Sequence, residues 1–264
     1  MSWPVNIDPR NLFHSPRTML TALSIPSNTR LGRLVRYPLN LVPPTTIVPI
    51  LGGRLVGKRW IIGSGIHRCW LGFYEREKQK LIARTVLPNS VFYDVGANVG
   101  IYSLLASMLV GTGKVFAFEP APRNIGFLNE HLRLNKVTNV EVVPVAISDT
   151  VGVAHFDVEE TGYMGHLTNQ GGVSVQTESL DSLVTLRKIS PPDYIKMDVE
   201  GAELLALRGA TETFRQYRPS LFLATHGHDV HTECWRLLQS WDYDCQMIGA
   251  LVNDKGEIAA LPRK

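Results

Sequence analysis

From residue 91 onward, short apolar runs alternate with segments of helical period. VFYDV (91–95) is almost continuously apolar, as a strand covered on both faces is. Ile101, Leu104, Leu105, Met108 and Leu109 then recur at i, i+3, i+4, i+7 and i+8, which predicts a helix with one apolar face. Gly111 and Gly113 end it. VFAFE (115–119) predicts a second strand, 121–135 a second helix ending at Asn135, and EVVPVA (141–146) a third strand. This order predicts an α/β fold with a parallel sheet. Residues 149–193 break the rhythm. VAHFDVE (153–159) and VSVQTE (173–178) are expected to pair as an excursion, followed by a short helix in DSLVTLRK (181–188). DYIKMDV (193–199) and SLFLAT (220–225) are two further strands, with helices expected at 201–208, 212–217 and 229–240. DCQMIGAL (244–251) and EIAAL (257–261) flank Asn253-Asp254-Lys255-Gly256. A turn this short makes the last two strands antiparallel neighbours.

The first third reads differently. Pro4, Pro9, Pro16, Pro26, Pro38, Pro43 and Pro44 break any long helix over residues 1–45, so an extended arm is expected. Residues 46–66 alternate β-branched pairs with glycines and predict a small hairpin. YEREKQKLIARTV (74–86) predicts a helix that stops before Pro88. The expected organisation is an N-terminal appendage over residues 1–69 and an α/β domain over 70–264.

Composition adds a few exclusions. The 264 residues are 44% hydrophobic and 19% charged, enough to bury a core without metal or disulfide staples. Cys69, Cys234 and Cys245 show no C-x-x-C spacing, which argues against a disulfide scaffold or zinc knuckle and for a reducing compartment. No apolar run reaches the roughly 18 residues of a spanning helix. Met1 to Arg10 lacks the basic-then-apolar order of a secretory signal, so a cytoplasmic protein is expected. The net charge of +3 conceals an asymmetry: thirteen Lys and Arg face three Asp and Glu up to Ser90, against fourteen and twenty-one beyond it. A basic arm suits an anionic partner such as nucleic acid, a membrane surface or a phosphorylated substrate. The alternative, an arm docked on an acidic body, ranks first, because the arginines are scattered without aromatic interleaving.

The chemistry concentrates in Asp94-Val95-Gly96-Ala97-Asn98-Val99-Gly100, between a strand and a helix. Gly96 permits a tight turn and close backbone approach, and Gly100 lets the helix start pack near the strand. Such a turn lies on the carboxyl edge of a parallel sheet, where ligands bind. A nicotinamide loop would read G-x-G-x-x-G. Here two glycines follow an aspartate, and a carboxylate beside the loop suits a cationic sulfonium or ammonium ligand. Glu119, at the end of the second strand, is placed to accept ribose hydroxyls; taken alone it would be a helix cap. Ala146-Ile147-Ser148-Asp149 follows the third strand, where an apolar residue next to Asp149 would flank an adenine whose amino group is accepted there; alone, Asp149 would be a turn residue.

VFYDVGANVGIYSLLAS, VFAFEPAPRN, AISD, SLDSLV and DYIKMDVEGAELLALRGA together resemble the FkbM family of S-adenosylmethionine-dependent methyltransferases, from about residue 70 to 225. The resemblance implies a Rossmann-like class I fold, with a seven-stranded, mostly parallel sheet ending in an antiparallel hairpin. It implies S-adenosylmethionine as cofactor, held by Asp94, Gly96, Asn98 and Gly100, with Glu119 on the ribose and Asp149 on the adenine. The expected reaction is O-methylation of a hydroxyl on a small molecule or glycan. The family often has Glu-x-His after the fifth strand; Ala224-Thr225-His226 stands there, so no role for that glutamate carries over.

Methyl transfer to oxygen needs a base for the hydroxyl proton. Candidates end the fourth and fifth strands: Asp198 or His226 as base, with Lys196 orienting. Alternation puts Lys196 and Asp198 on one face, where they could pair. A structural ion pair and a satisfied histidine are the competing readings. Asp198, His226 and His228 offer metal ligands, but no H-E-x-x-H spacing exists, so metal-free catalysis ranks first. Glu200 and Glu203 suit a helix N-terminus without catalytic duty. Tyr163, His166 and Asn169 lie in the excursion and Tyr74 and Glu75 before the core, all weaker candidates for the pocket wall. An RNA methyltransferase, a non-catalytic module retaining the fold and a nicotinamide enzyme stay open as rivals.

Overall fold

Strand β3 (Val91–Val95) is an inner strand of the main sheet. Phe92, Tyr93, Asp94 and Val95 are each fully buried, as a strand with neighbours on both sides and cover on both faces must be. The computed structural model describes residues 29, 41–158, 165–168, 172–249 and 255–263, with side chains left aside for 156–158 and 165–168. The chain divides into two compact units, Met1–Thr46 and Ile47–Lys264. Of the first, only Thr29 and 41–46 are described, so the arm expected over 1–45 lies almost wholly outside the described residues.

The second unit opens with a hairpin of β1 (Ile47–Pro49) and β2 (Arg59–Ile61). Helices α1 (His67–Leu71) and α2 (Arg76–Thr85) follow. After β3 come α3 (Ile101–Val110), β4 (Lys114–Phe118), α4 (Pro122–Leu134) and β5 (Val140–Val143). The strand expected over 141–146 is broken at Pro144, which has no N–H for a ladder. Beyond it, β6 (Ala146–Ile147) joins a second sheet with β7 (Gly152–Val158), β8 (Gly165–Thr168) and β9 (Val173–Glu178). The expected pairing of the excursion is present: β7 runs antiparallel to β9, with Val153 opposite Gln176.

Helix α5 (Leu180–Thr185) returns the chain to β10 (Tyr194–Met197). Then come α6 (Glu203–Arg208), α7 (Thr211–Tyr217), β11 (Ser220–His226), α8 (His228–Ser240), β12 (Tyr243–Met247) and β13 (Lys255–Pro262). The main sheet has seven strands in the order β12-β13-β11-β10-β3-β4-β5. Strands β11, β10, β3, β4 and β5 are parallel, while β13 runs antiparallel to both β11 and β12. This is the Rossmann-like α/β fold with the expected terminal hairpin. Strand order reverses between β3 and β10, and ligands bind at the carboxyl ends of such a switch point.

Helix α3 departs from the simple stripe. Tyr102 and Ser103 are buried beside Ile101, Leu104 and Leu105, whereas Met108 is 48% exposed. The first half of the helix is enclosed on all sides; only its far end is amphipathic. The hairpin is held to α4 by Asn135 at the helix end, bonded to the Arg59 backbone, and by one histidine. His131 stacks on the buried Trp60 ring at 3.8 Å between centroids. Its Nδ1–H donates to the Val99 carbonyl at 2.7 Å, and its Nε2 accepts the Ile61 N–H at 3.1 Å. One neutral ring thus joins the hairpin, the helix and the glycine loop.

Burial pushes the His131 pKa down to about 4, against the bond to Val99. An unfolded histidine titrates near 6.5, so on acidification the unfolded chain takes up this proton first. The stabilisation is therefore complete above about pH 6.5 and is lost as pH falls toward 4, to a ceiling of about 3 kcal/mol. Urea unfolding at a series of pH values should show this acid limb, and His131→Gln should flatten it. An identical limb in the variant would assign the loss to other groups.

Candidate active site

The ends of β3, β4, β10 and β11 surround a cleft of about 880 Å³. The loop after β3 is shaped by close backbone contact. Gly96 has φ +71°, and a Cβ there would collide with the Asp198 carbonyl oxygen at the end of β10. Gly100 has φ +94°, and a Cβ would strike Leu128 of α4. Gly96 is therefore needed for packing against backbone and Gly100 for its left-handed conformation, whatever ligand the loop holds. The Gly96 and Ala97 amides are fixed on the Phe118 carbonyl at 3.0 and 2.9 Å.

Asp94 lies behind this loop, fully buried and outside the cleft lining. Its Oδ2 accepts from Ser103 Oγ at 2.6 Å, and its Oδ1 is 3.3 Å from Lys196 Nζ. Lys196 also donates to the Gly96 carbonyl at 2.8 Å and lies over the Tyr102 ring at 5.2 Å. Alternation along β10 suggested Lys196 and Asp198 as partners. The partner is Asp94, directly opposite Lys196 across the β10–β3 ladder. Facing residues on paired strands are closer than i and i+2 on one strand, about 5 Å against about 6.6 Å. The carboxylate expected to face a cationic ligand instead anchors the loop.

Glu119 does face the cleft, although it is only 4% exposed. Its Oε2 accepts the Asn98 N–H at 2.8 Å; its Oε1 accepts the Ala121 N–H at 3.0 Å and Asn124 Nδ2 at 3.3 Å. Burial pushes its carboxyl above the ordinary range, against these donors. The adjacent wall is apolar, formed by Val145, Ala146 and Ile147. Asp149 is exposed and is not part of the lining. Tyr74 and Glu75 do line the cleft. Tyr163 and Asn169 fall outside the described residues; His166 is described only by its backbone, within β8.

Opposite Glu119, carboxylates crowd around His226. Its Nδ1 is 2.7 Å from Glu203 Oε1; its Nε2 is 3.0 Å from Glu200 Oε2 and 3.8 Å from Asp198 Oδ1. Burial lowers its pKa, but the Glu203 hydrogen bond and the three negative charges outweigh burial and raise it. His226 is thus held as an imidazolium more than a free histidine is, which weakens it as a lone base. Burial raises the Asp198 carboxyl, and Lys196, Lys78, His226 and Lys255 bring it below its usual range. Glu200 is shifted upward by burial. His228 opens α8 and does not join this group.

Two features escaped the sequence. Glu203, read there as a helix-terminal charge, is fully buried and orients His226. Lys78 is only 2% exposed, with its Nζ 2.7 Å from Glu75 and 2.8 Å from Glu257, linking α2 to β13 beside the cleft. In YEREKQK it looks like one more solvated helix charge. The K-x-D-x-E spacing of Lys196, Asp198 and Glu200 was the one available signal for the cluster.

Known proteins similar to this chain are methyltransferases by name. A family model described as the methyltransferase FkbM domain matches residues 94–245. The chain is 29% identical over 145 residues to the hexuronic acid methyltransferase AglP of Haloferax volcanii, covering 53% of this chain and 58% of that protein. It is 28% identical over 160 residues to the 2-O-methyltransferase NoeI of Sinorhizobium fredii, covering 53% and 65%. The matches thus span less than two thirds of these curated relatives. Among solved structures, an FkbM methyltransferase from Methylobacillus flagellatus aligns with a TM-score of 0.49 at 18% identity, over 65% of this chain and 43% of that one.

Removing one member of a buried ion pair leaves an uncompensated charge and costs about 3–5 kcal/mol. Lys196→Met should destabilise the fold on that scale in denaturant unfolding, and Lys196→Arg should restore part of the loss. A change below about 1 kcal/mol in Lys196→Met, typical of exposed pairs, would show that the pair does not hold the loop.

Proposed function

The chain belongs to the FkbM methyltransferase family, and on that premise we propose that it methylates a hydroxyl of a small molecule or glycan, with S-adenosylmethionine as donor. The carrying observation is the buried Glu119 carboxylate at the end of β4, held against the glycine loop and open to the cleft. The residues present fit the donor: a carboxylate for vicinal hydroxyls, an apolar wall at Val145 and Ile147 for a planar base, and a cleft of about 880 Å³, within the usual range for ligand pockets. When bound, S-adenosylmethionine supplies an electrophilic methyl group on a positively charged sulfur.

The protein's own residues do the rest. Glu119 is preorganised by three donors, so it accepts a ribose without reorienting. The Asp94–Lys196 pair fixes the loop from behind. Asp198, Glu200 and His226, at the ends of the two neighbouring strands, are the groups that manage the acceptor's hydroxyl proton. No one of them is a free base: both nitrogens of His226 face carboxylates. The proton is handled by the cluster. Relatives named for hexuronic acid and 2-O methylation support a sugar hydroxyl as the acceptor class.

Calorimetry with S-adenosylhomocysteine tests the donor site. Wild type should bind, and Glu119→Gln should weaken binding about 10- to 100-fold, the loss of a charged hydrogen-bond pair at roughly 1.5–3 kcal/mol. No binding by folded wild type would overturn the reading, and equal binding by Glu119→Gln would remove the ribose role.

A further inference from the structure

We propose that Asp198, Glu200 and His226 form a divalent-cation site that takes Mn2+ or Mg2+ and presents it to the acceptor hydroxyl. All three line the cleft and are half-buried, and one ligand atom from each lies within 4.8 Å of the other two. Ligands around an ion at about 2.1 Å lie up to about 4.2 Å apart, so small side-chain rotations close the set.

Charge distribution supports a cation here. Around the cleft, Asp94 has Lys196 at 3.3 Å, and Glu75 and Glu257 share Lys78 at 2.7 and 2.8 Å. Among the described residues, Asp198, Glu200 and Glu203 have as cationic partners within contact only the His226 imidazole and Lys255, whose side chain is 58% exposed and whose Nζ is 3.8 Å from Glu200, while Lys196 and Lys78 act on Asp198 from farther away. Three carboxylates about one ring leave negative charge in excess, whether the ring is protonated or neutral.

The second, independent observation is Glu203. It is fully buried, its Oε1 holds His226 Nδ1 at 2.7 Å, and its Oε2 has no hydrogen-bond partner. A buried carboxylate on one ring nitrogen fixes the ring so that the other nitrogen is presented as a ligand, the usual support of a metal-bound histidine. Here Nε2 is presented toward Asp198 and Glu200. Two oxygens and one imidazole suit Mn2+ or Mg2+ and leave positions of an octahedral ion for water and substrate. With the ion bound, the cluster acts on the acceptor proton through the metal: a hydroxyl bound there loses its proton more readily, as metal-bound water does, and the proton passes to solvent. The purpose of the ion rests on the methyl-transfer reading; its binding does not.

The test is a Mn2+ titration of chelator-stripped full chain, followed by the electron paramagnetic resonance signal of the free aqua ion. Wild type should bind one Mn2+ per chain and enhance water proton relaxation, the sign of an open coordination position. Glu200→Gln and Asp198→Asn should each weaken binding about tenfold or more, whereas the surface variant Glu130→Gln should not. Circular dichroism establishes that the variants are folded; should either fail to fold, His226→Gln takes its place. No Mn2+ bound by folded wild type at millimolar concentration, or equal affinity in the cluster variants, overturns the site. S-adenosylhomocysteine calorimetry on the same samples separates the two readings. Nucleoside binding without Mn2+ sinks the cation site alone, and Mn2+ binding without nucleoside supports the site and sinks the donor assignment.

Discussion

The ion pair between Asp94 and Lys196 is the constraint on which the site is built. It bridges β3 and β10, the two strands at which the sheet order reverses. Both charges are buried, so neither tolerates loss of its partner. Lys196 further holds the Gly96 carbonyl, and Ser103 at the start of α3 holds Asp94. One pair therefore ties the loop and the helix entry to two strands that the backbone ladder already holds together. Gly96 then allows the loop to lie against the Asp198 carbonyl, where any Cβ would collide.

Around that anchor the cleft is divided by chemistry. One side, at Glu119, offers a carboxylate whose position is dictated by backbone amides. The other, at the ends of β10 and β11, holds a crowded group of acids around a single ring. In the proposed reaction the two sides would serve different partners, a nucleoside donor and a hydroxyl. The negative character of the cleft arises from Glu119 and the His226 cluster, while Asp94 is neutralised in place.

The segment before the sheet is also tied to the site. Trp60 and Ile61 of the hairpin meet His131, which in turn holds the Val99 carbonyl. Glu75 and Lys78 connect α2 to Tyr102 and to Glu257 on β13. Residues 47–78 thus brace the glycine loop and close one flank of the cleft. Sequence grouped residues 47–69 with the arm because glycines and β-branched pairs carry no mark of what they pack against.

Local pattern was enough for much of this protein. Apolar runs predicted β3, β4, β10 and β11, because strands buried on both faces have nowhere to put polar residues. The short turn predicted the antiparallel hairpin, and the phrases around Asp94 and Asp198 marked strand ends that border the cleft. Glu119 was legible as a cleft residue because it closes a strand beside the glycine loop; taken alone it would read as a helix cap. Partnerships across the chain were decided only by tertiary structure. Lys196 contacts Asp94 and acts on Asp198 only from farther away, Glu203 left the helix surface to hold His226, and Lys78 went inside with two glutamates. Periodicity states which face a residue occupies; it does not state which distant charge faces it across a strand or helix boundary. In a buried, poorly screened interior that distant charge, more than the residue's own type, decides whether a side chain binds, anchors or reacts.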